Sequence, residues 1–182
     1  MGPHSLAKLA FVFLCTILLG CTTQEREPVI PKTQPKALKP GEVRRFSYRG
    51  LKGEVISSAA FRGRMTLIAF VASYDTASQA QVRYLKQLYR RHVPRINLAV
   101  LVLEPEHHRP LVQAFAEALQ LPFPVAMADA ATIQGKGPFA GMQHVPAAVL
   151  LDRDSREVWR GLGLKDSATL SAIVASADPH AR

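Results

Sequence analysis

Apolar runs of strand length recur along the chain from residue 41 onward. Three of these runs, at residues 66–72, 96–103 and 147–151, are apolar at nearly every position. Because a half-exposed strand would alternate apolar with polar residues, such runs predict strands that are buried on both faces. Shorter or partly polar strands are expected at residues 46–48, 55–57, 125–127 and 157–162.

Stretches with helical spacing lie between these strands. Residues 77–92 place apolar side chains on one face and most of their cations on the other, which is typical of a helix packed on a sheet. A second amphipathic helix is expected over residues 111–119, and a third begins after Asp166 or Ser167, either of which is suited to cap its first turn. The side chains expected to face inward are Val82, Leu85, Leu88, Tyr89, His92, Leu111, Val112, Phe115, Ala118, Leu119, Leu170, Ile173 and Val174.

The order of these elements predicts an α/β fold of three layers, with a central mixed sheet flanked by helices. Residues 50–53 are expected to turn an N-terminal hairpin, and residues 152–155 a tight turn between the last two strands. The domain is expected to span residues 42–177, a length that can bury a real core, with residues 178–182 as a tail.

The start of the chain resembles a bacterial lipoprotein signal peptide. Lys8 gives it a positive start, and residues 9–19 are an unbroken apolar run that is too short to span a hydrocarbon core of roughly 30 Å. The run ends at Gly20-Cys21, as in a lipobox. The resemblance implies removal of residues 1–20 and lipidation of Cys21; the alternative is an ordinary signal peptide or an uncleaved anchor.

Residues 21–41 are expected to form a lipidated N-terminus followed by a proline-rich linker. Four prolines lie in this stretch and its apolar residues have no pattern, which favours a semi-rigid tether that rises about 3.1 Å per residue where it is extended. We therefore expect a lipid-anchored domain that faces the periplasm or the exterior of a bacterial cell envelope.

Composition and charge narrow the functional classes. The 182 residues include 23 Lys and Arg against 14 Asp and Glu, for a formal net charge of +9. The only cysteines, Cys15 and Cys21, exclude a disulfide-rich scaffold and a cysteine-rich zinc site. We expect no nucleic-acid partner in the envelope. A basic cluster could instead face anionic lipid, polysaccharide or solvent. Its residues are Arg44, Arg45, Arg49, Lys52, Arg62 and Arg64.

The order of elements and three local stretches resemble the thioredoxin-like redoxin family, and most of all the membrane-anchored, TlpA-type thiol–disulfide reductases of the bacterial envelope. Residues 61–74 match the strand that leads to the active site of that family. Residues 145–152 match its cis-proline loop and the strand that follows, and residues 153–158 match its final hairpin. The resemblance covers roughly residues 42–177.

The reactive motif of that family is missing. Its Cys-x-x-Cys positions read Asp75-Thr76-Ala77-Ser78 here, so no catalytic residue is carried over and Asp75 and Ser78 are vestigial active-site positions. Only Pro146 matches, and the resemblance implies a cis Val145–Pro146 bond beside a cleft that docks an extended peptide. The alternative is a loop kept only for folding. The candidate cleft residues are Tyr74, Asp75, Thr76, Gln143, His144, Val145 and Pro146.

Other chemistry at these positions has simpler explanations. Residues 76–79 fit a T-x-x-Q capping box, in which side chains satisfy free amides at the start of a helix. Stabilisation of the helix would alone explain why these residues are present. A hydrolytic set of Asp75, Ser78 and His144 is the sharper alternative, although no G-x-S-x-G signature supports it. Residues 104–108, EPEHH, carry metal-ligand types but favour a solvated loop.

We therefore expect no metal and no cofactor, and a membrane-anchored binding or accessory module for an envelope protein or peptide rather than an enzyme. The alternative is a redoxin-type oxidoreductase that works with the cysteines of a partner or by non-thiol chemistry.

Overall fold

The computed structural model describes residues 41–178. The signal segment, the lipidation site Cys21, the tether up to residue 40 and residues 179–182 lie outside the described residues, so the expected processing and domain limits stay predictions. No helix within the described range is long and apolar enough to cross a membrane.

Strands and helices follow the expected order. The strands are β1 Ser47–Arg49, β2 Val55–Ser57, β3 Met65–Val71, β4 Ile96–Val102, β5 Val125–Met127, β6 Ala147–Leu151 and β7 Glu157–Leu162. The α-helices are α1 Thr76–His92, α2 Arg109–Ala118, α3 Ala130–Ile133 and α4 Ser167–Ala177. Short 3₁₀ turns at Glu106–His108 and Gly137–Phe139 and the one-turn helix α3 were not expected from the sequence.

The central sheet is mixed, as expected. Its strand order is β5-β4-β3-β6-β7, with β3, β4 and β5 parallel and β6 antiparallel to both β3 and β7. Strands β1 and β2 form a separate hairpin. We call the end of the sheet where β3 and β4 finish and β6 starts the upper end, and the opposite end the lower end.

Two apolar clusters cover the two faces of this sheet and complete the three layers. In β3, Leu67, Ala69 and Val71 point into one cluster and Ile68 and Phe70 into the other, as the period of two along a strand requires. The first cluster contains the inward faces of α1, α2 and α4. The second lies between the sheet and the β1–β2 hairpin, and in it the Phe139 ring contacts Phe46 at a tilt and Phe70 edge-on.

The inward face expected for the second helix is wrong in part. Val112 is fully buried, but Leu111 is 61% exposed and Ala118 is also exposed. Since α2 contacts the core along a narrow stripe next to β5, only part of its apolar surface is covered. In α4, Leu170 and Val174 are buried as expected, while Ile173 packs against the core only partly.

Several polar groups in the interior and at helix ends have hydrogen-bond partners within the domain, although the buried Arg44 Nη2 has none among the described residues. The Tyr48 hydroxyl lies 2.8 Å from the Thr132 hydroxyl, and burial raises the pKa of this phenol to about 12. Asp166 caps α4 by accepting a hydrogen bond from the Thr169 amide, which decides between the two expected caps. Trp159 packs partly buried against the first cluster.

Candidate functional site

Two loops lie next to each other at the upper end of the sheet. One joins β3 to α1, and the other precedes β6. Because Phe70 pairs with Ala147 in the β3–β6 register, the residues after Val71 and those before Ala147 emerge side by side. The peptide bond between Val145 and Pro146 is cis, as the resemblance implied.

Asp75, which the resemblance matches to the first cysteine position of the redoxin motif, caps helix α1. Its carboxylate accepts a hydrogen bond of 2.7 Å from the Ser78 amide, which is one of the free amides at the helix start. The expected capping box beginning at Thr76 is wrong, because the helix starts at Thr76 and its cap is one residue earlier. Gln79 instead donates its side-chain amide to the Ser73 carbonyl, at 3.0 Å.

Ser78, which the resemblance matches to the second cysteine position, has a structural role. Its side chain is fully buried, and its hydroxyl oxygen accepts a hydrogen bond of 3.1 Å from the Ala72 amide. A nucleophile must reach its substrate and a neighbouring base. His144 is exposed and makes no hydrogen bond to Asp75 or Ser78 among the described residues. The hydrolytic arrangement of these three residues is therefore not assembled.

Glu104 belongs to the site, and the sequence argument missed it. It follows β4 at the upper end and is only 1% exposed, so the expectation of a solvated loop is wrong at this residue. One carboxylate oxygen accepts from the Ser73 amide at 2.5 Å, and the other lies 2.9 Å from His108 Nδ1. A charged residue directly after a fully apolar strand was the available signal. The described residues contain no group of three or more side chains able to hold a metal ion.

The second loop presents both side chains and main chain. Gln143 and His144 are exposed, Val145 is half-buried against the second cluster, and Pro146 is buried. The Gln143 side chain is tied to the Gln134 carbonyl at 2.7 Å. The Pro146 carbonyl accepts from the Gly163 amide at 2.8 Å, whereas the main chain of Val145 has no hydrogen-bond partner within residues 41–178.

The first loop contributes an exposed aromatic ring. Tyr74 is 73% exposed, Thr76 is exposed, and Asp75 between them is half-buried. The structure thus places the candidate cleft residues on two adjacent loops, with the exposed Tyr74 on one and the unpaired main chain of Val145 on the other.

We expect Glu104→Ala to lower the free energy of unfolding by about 2–3 kcal/mol, because it removes a buried carboxylate and leaves the half-buried Ser73 amide and His108 without their partner. Glu104→Gln keeps an acceptor and should cost clearly less. The exposed Glu106, which pairs with Arg109, is the matched control, and its replacement by Ala should lower the free energy of unfolding clearly less than Glu104→Ala does. Urea unfolding of the three variants measures this, and an equal loss at Glu106 would contradict the assigned role of Glu104.

Comparison with known proteins agrees with this architecture at the level of the fold. No protein-family model and no curated protein matches the chain. StoA from Bacillus subtilis is 18% identical over 73% of this chain and 98% of its own, with a TM-score of 0.61. A thioredoxin-family thiol:disulfide interchange protein from Chlorobium tepidum is 18% identical over 78% and 98%, with a TM-score of 0.66. The pneumococcal exposed lipoprotein thioredoxin Etrx1 from Streptococcus pneumoniae is 14% identical over 72% and 98%, with a TM-score of 0.63.

The chain therefore has the thioredoxin-like fold of the thiol:disulfide oxidoreductases. It carries Asp75 and Ser78 at the start of α1 and has no cysteine within residues 22–182.

Proposed function

We propose that this protein is a lipid-anchored envelope protein whose redox-inactive thioredoxin-like domain holds an extended segment of a partner protein at the upper end of the sheet. The observation that carries the proposal is the contrast between the two loops. Asp75 and Ser78 stand at the positions that would hold reactive thiols. Asp75 caps helix α1, and Ser78 is buried and accepts a hydrogen bond from the Ala72 amide. The neighbouring Val145 segment keeps its main-chain groups unpaired among the described residues.

The absence of thiol chemistry follows from the residues present. Exchange with a disulfide requires a thiolate that attacks sulfur and forms a mixed disulfide. The carboxylate of Asp75 and the buried hydroxyl of Ser78 do neither, and no other cysteine is present after Cys21. A domain of this kind binds partners without turning them over.

Peptide docking is supported by the geometry of the Val145 segment. An extended peptide that adds beside it would pair with its free main-chain groups, so affinity would come from the main chain and selectivity from nearby side chains. Tyr74 offers a large exposed aromatic surface with a hydroxyl, and such residues often dominate binding energy.

The envelope location is supported by the N-terminal sequence and by the descriptions of other proteins that share this fold. The apolar run 9–19 followed by Cys21 fits a lipoprotein signal. Among the solved structures with this fold, one is described as an exposed lipoprotein and another as a secreted disulfide oxidoreductase.

The proposal is tested with a photo-crosslinking residue placed at position 144 of the full chain in living cells. We expect a defined partner to be captured at 144 and not at the control position 113, which is exposed on α2. Tyr74→Ala should reduce capture at least fivefold because it removes the exposed ring. Leu111→Ala removes a comparably exposed apolar side chain elsewhere and should not change capture.

Two results would contradict docking at this cleft. Capture at position 144 that does not exceed capture at 113 would leave the loop with a structural role only. Equal loss of capture in Tyr74→Ala and Leu111→Ala would mean that a nonspecific apolar effect, and not the cleft, retains the partner.

A further inference from the structure

Exposed arginines surround the lower end of the sheet, opposite the candidate cleft. They come from the segment before β1, the loop before β3, the loop before β4 and the β6–β7 turn. We call them the arginine surface: Arg45, Arg62, Arg64, Arg95, Arg153 and Arg156.

Main-chain contacts hold these loops together as one surface. The Gly63 amide donates to the Arg153 carbonyl at 2.9 Å, and the Arg44 amide donates to the Ser155 carbonyl at 2.7 Å. The Arg64 guanidinium reaches the Pro94 carbonyl at 3.1 Å, next to Arg95. The spacing of the cations is therefore set by the fold.

Carboxylates near the lower end, which include the exposed Asp154 and Glu42, offset the charge of this surface only in part. Arg153 pairs with Asp178 at 3.3 Å, and the Asp152 carboxylate accepts from the Asp154 and Arg156 amides at 2.8 Å each. Arg45, Arg62 and Arg95 form no ion pair with any residue that the structure describes. The last turn of α1 adds Arg90 and Arg91 at the same end of the sheet.

The chain enters the domain at this same end. Val43 forms an isolated bridge with Arg156, and the Arg156 guanidinium donates to the Gly41 carbonyl. Gly41 is the first described residue, so the tether that leads back to Cys21 joins the domain at the arginine surface.

We propose that the arginine surface docks on anionic lipid headgroups and thereby orients the anchored domain with its cleft facing away from the membrane. The orientation rests on the proposed lipid anchor, whereas the affinity for anionic lipid does not. Each arginine near an anionic bilayer strengthens binding about fivefold, and the attraction fades beyond a Debye length of about 8 Å at physiological salt. Since the tether holds the domain at a high effective concentration near the lipid, a modest affinity is sufficient.

The test uses residues 22–182, which contain the whole described unit and its core and lack the anchor. Sedimentation with vesicles measures binding to phosphatidylglycerol in a phosphatidylcholine background, and to phosphatidylcholine alone. We expect binding only to the anionic vesicles and a steep loss with added salt. The triple variant Arg45→Gln, Arg62→Gln, Arg95→Gln should bind on the order of 100-fold more weakly.

A second triple variant, Arg49→Gln, Lys52→Gln, Lys136→Gln, is the matched control. It removes the same charge from the hairpin and from the segment after α3, and it should lose much less binding. Circular dichroism verifies that both variants keep the fold. An equal loss in the two variants, or equal binding to neutral vesicles, would overturn the proposal. So would complete displacement by low concentrations of soluble heparin, since that result would identify a polysaccharide site. None of these results depends on the crosslinking at position 144.

Discussion

The double variant Asp75→Cys, Ser78→Cys is expected to reduce insulin disulfides with dithiothreitol as the electron source, whereas the natural sequence of residues 22–182 should give the rate of the buffer blank. This is the largest change in activity that we expect from any substitution in the chain. It follows from the positions of the two residues, which the sequence resemblance matches to the two cysteines of the thioredoxin-like motif.

The structure provides much of what such a dithiol needs. A thiol at position 75 would lie at the N-terminus of α1, where the unpaired amides and the helix dipole favour a thiolate. That thiolate would attack a substrate sulfur to form a mixed disulfide, and the thiol at position 78 would release the reduced substrate by closing an internal disulfide. Dithiothreitol then reduces this disulfide again. Loss of the Asp75 cap costs about 1 kcal/mol, and the sulfur at position 78 remains a weak acceptor for the Ala72 amide, so the variant should fold.

A matched control exists in the same chain. Asp166 caps α4 through the Thr169 amide in the same way that Asp75 caps α1 through the Ser78 amide. The variant Asp166→Cys, Thr169→Cys therefore places a Cys-x-x-Cys motif at an equivalent helix start, away from Pro146. We expect much slower reduction from this control. Equal rates in the two double variants would contradict the idea that the upper end retains the geometry of a redox site.

The parts of the fold that the sequence predicted are those controlled by local burial. Strand β6 occurs at the residues expected, and β3 and β4 within one residue of them, because a continuous apolar run has few alternatives to a central strand. The partly polar edge strand β7 also occurs at the residues expected, after the predicted turn. The burial of α2 was not predictable in the same way. How much of Leu111 is covered depends on how far the helix overlaps the sheet, and that is set by tertiary packing.

The site was harder to predict for a related reason. Asp75 and Thr76 are both good capping residues, and only the start of the helix decides between them. The role of Glu104 depends on the β3–β4 register, which brings the end of β4 next to the Ser73 amide across 31 positions of sequence. The arginine surface likewise gathers residues from separate loops, of which the sequence argument had recognised only the cluster between Arg44 and Arg64.

Cys21→Ala is expected to abolish incorporation of labelled palmitate when the full chain is made in a bacterial host. The natural sequence should yield a labelled protein whose mature N-terminus is Cys21. Label is lost because alanine has no thiol to carry the lipid. Membrane association is lost as well, because several acyl chains on one residue hold a protein at a membrane firmly, whereas a single chain gives only marginal binding. Membrane fractionation and the intact mass of the recovered protein measure the two consequences.

Cys15→Ala is the matched control, because Cys15 lies inside the apolar run that the proposed cleavage removes. This variant should keep the label, the mature N-terminus and the membrane association. Label that persists in Cys21→Ala, or that disappears in Cys15→Ala, would contradict lipidation at Cys21. A mature chain that begins at another residue would instead support an ordinary signal peptide. In that case the arginine surface would be the remaining membrane contact proposed for the domain, and vesicle binding by residues 22–182 would still measure it.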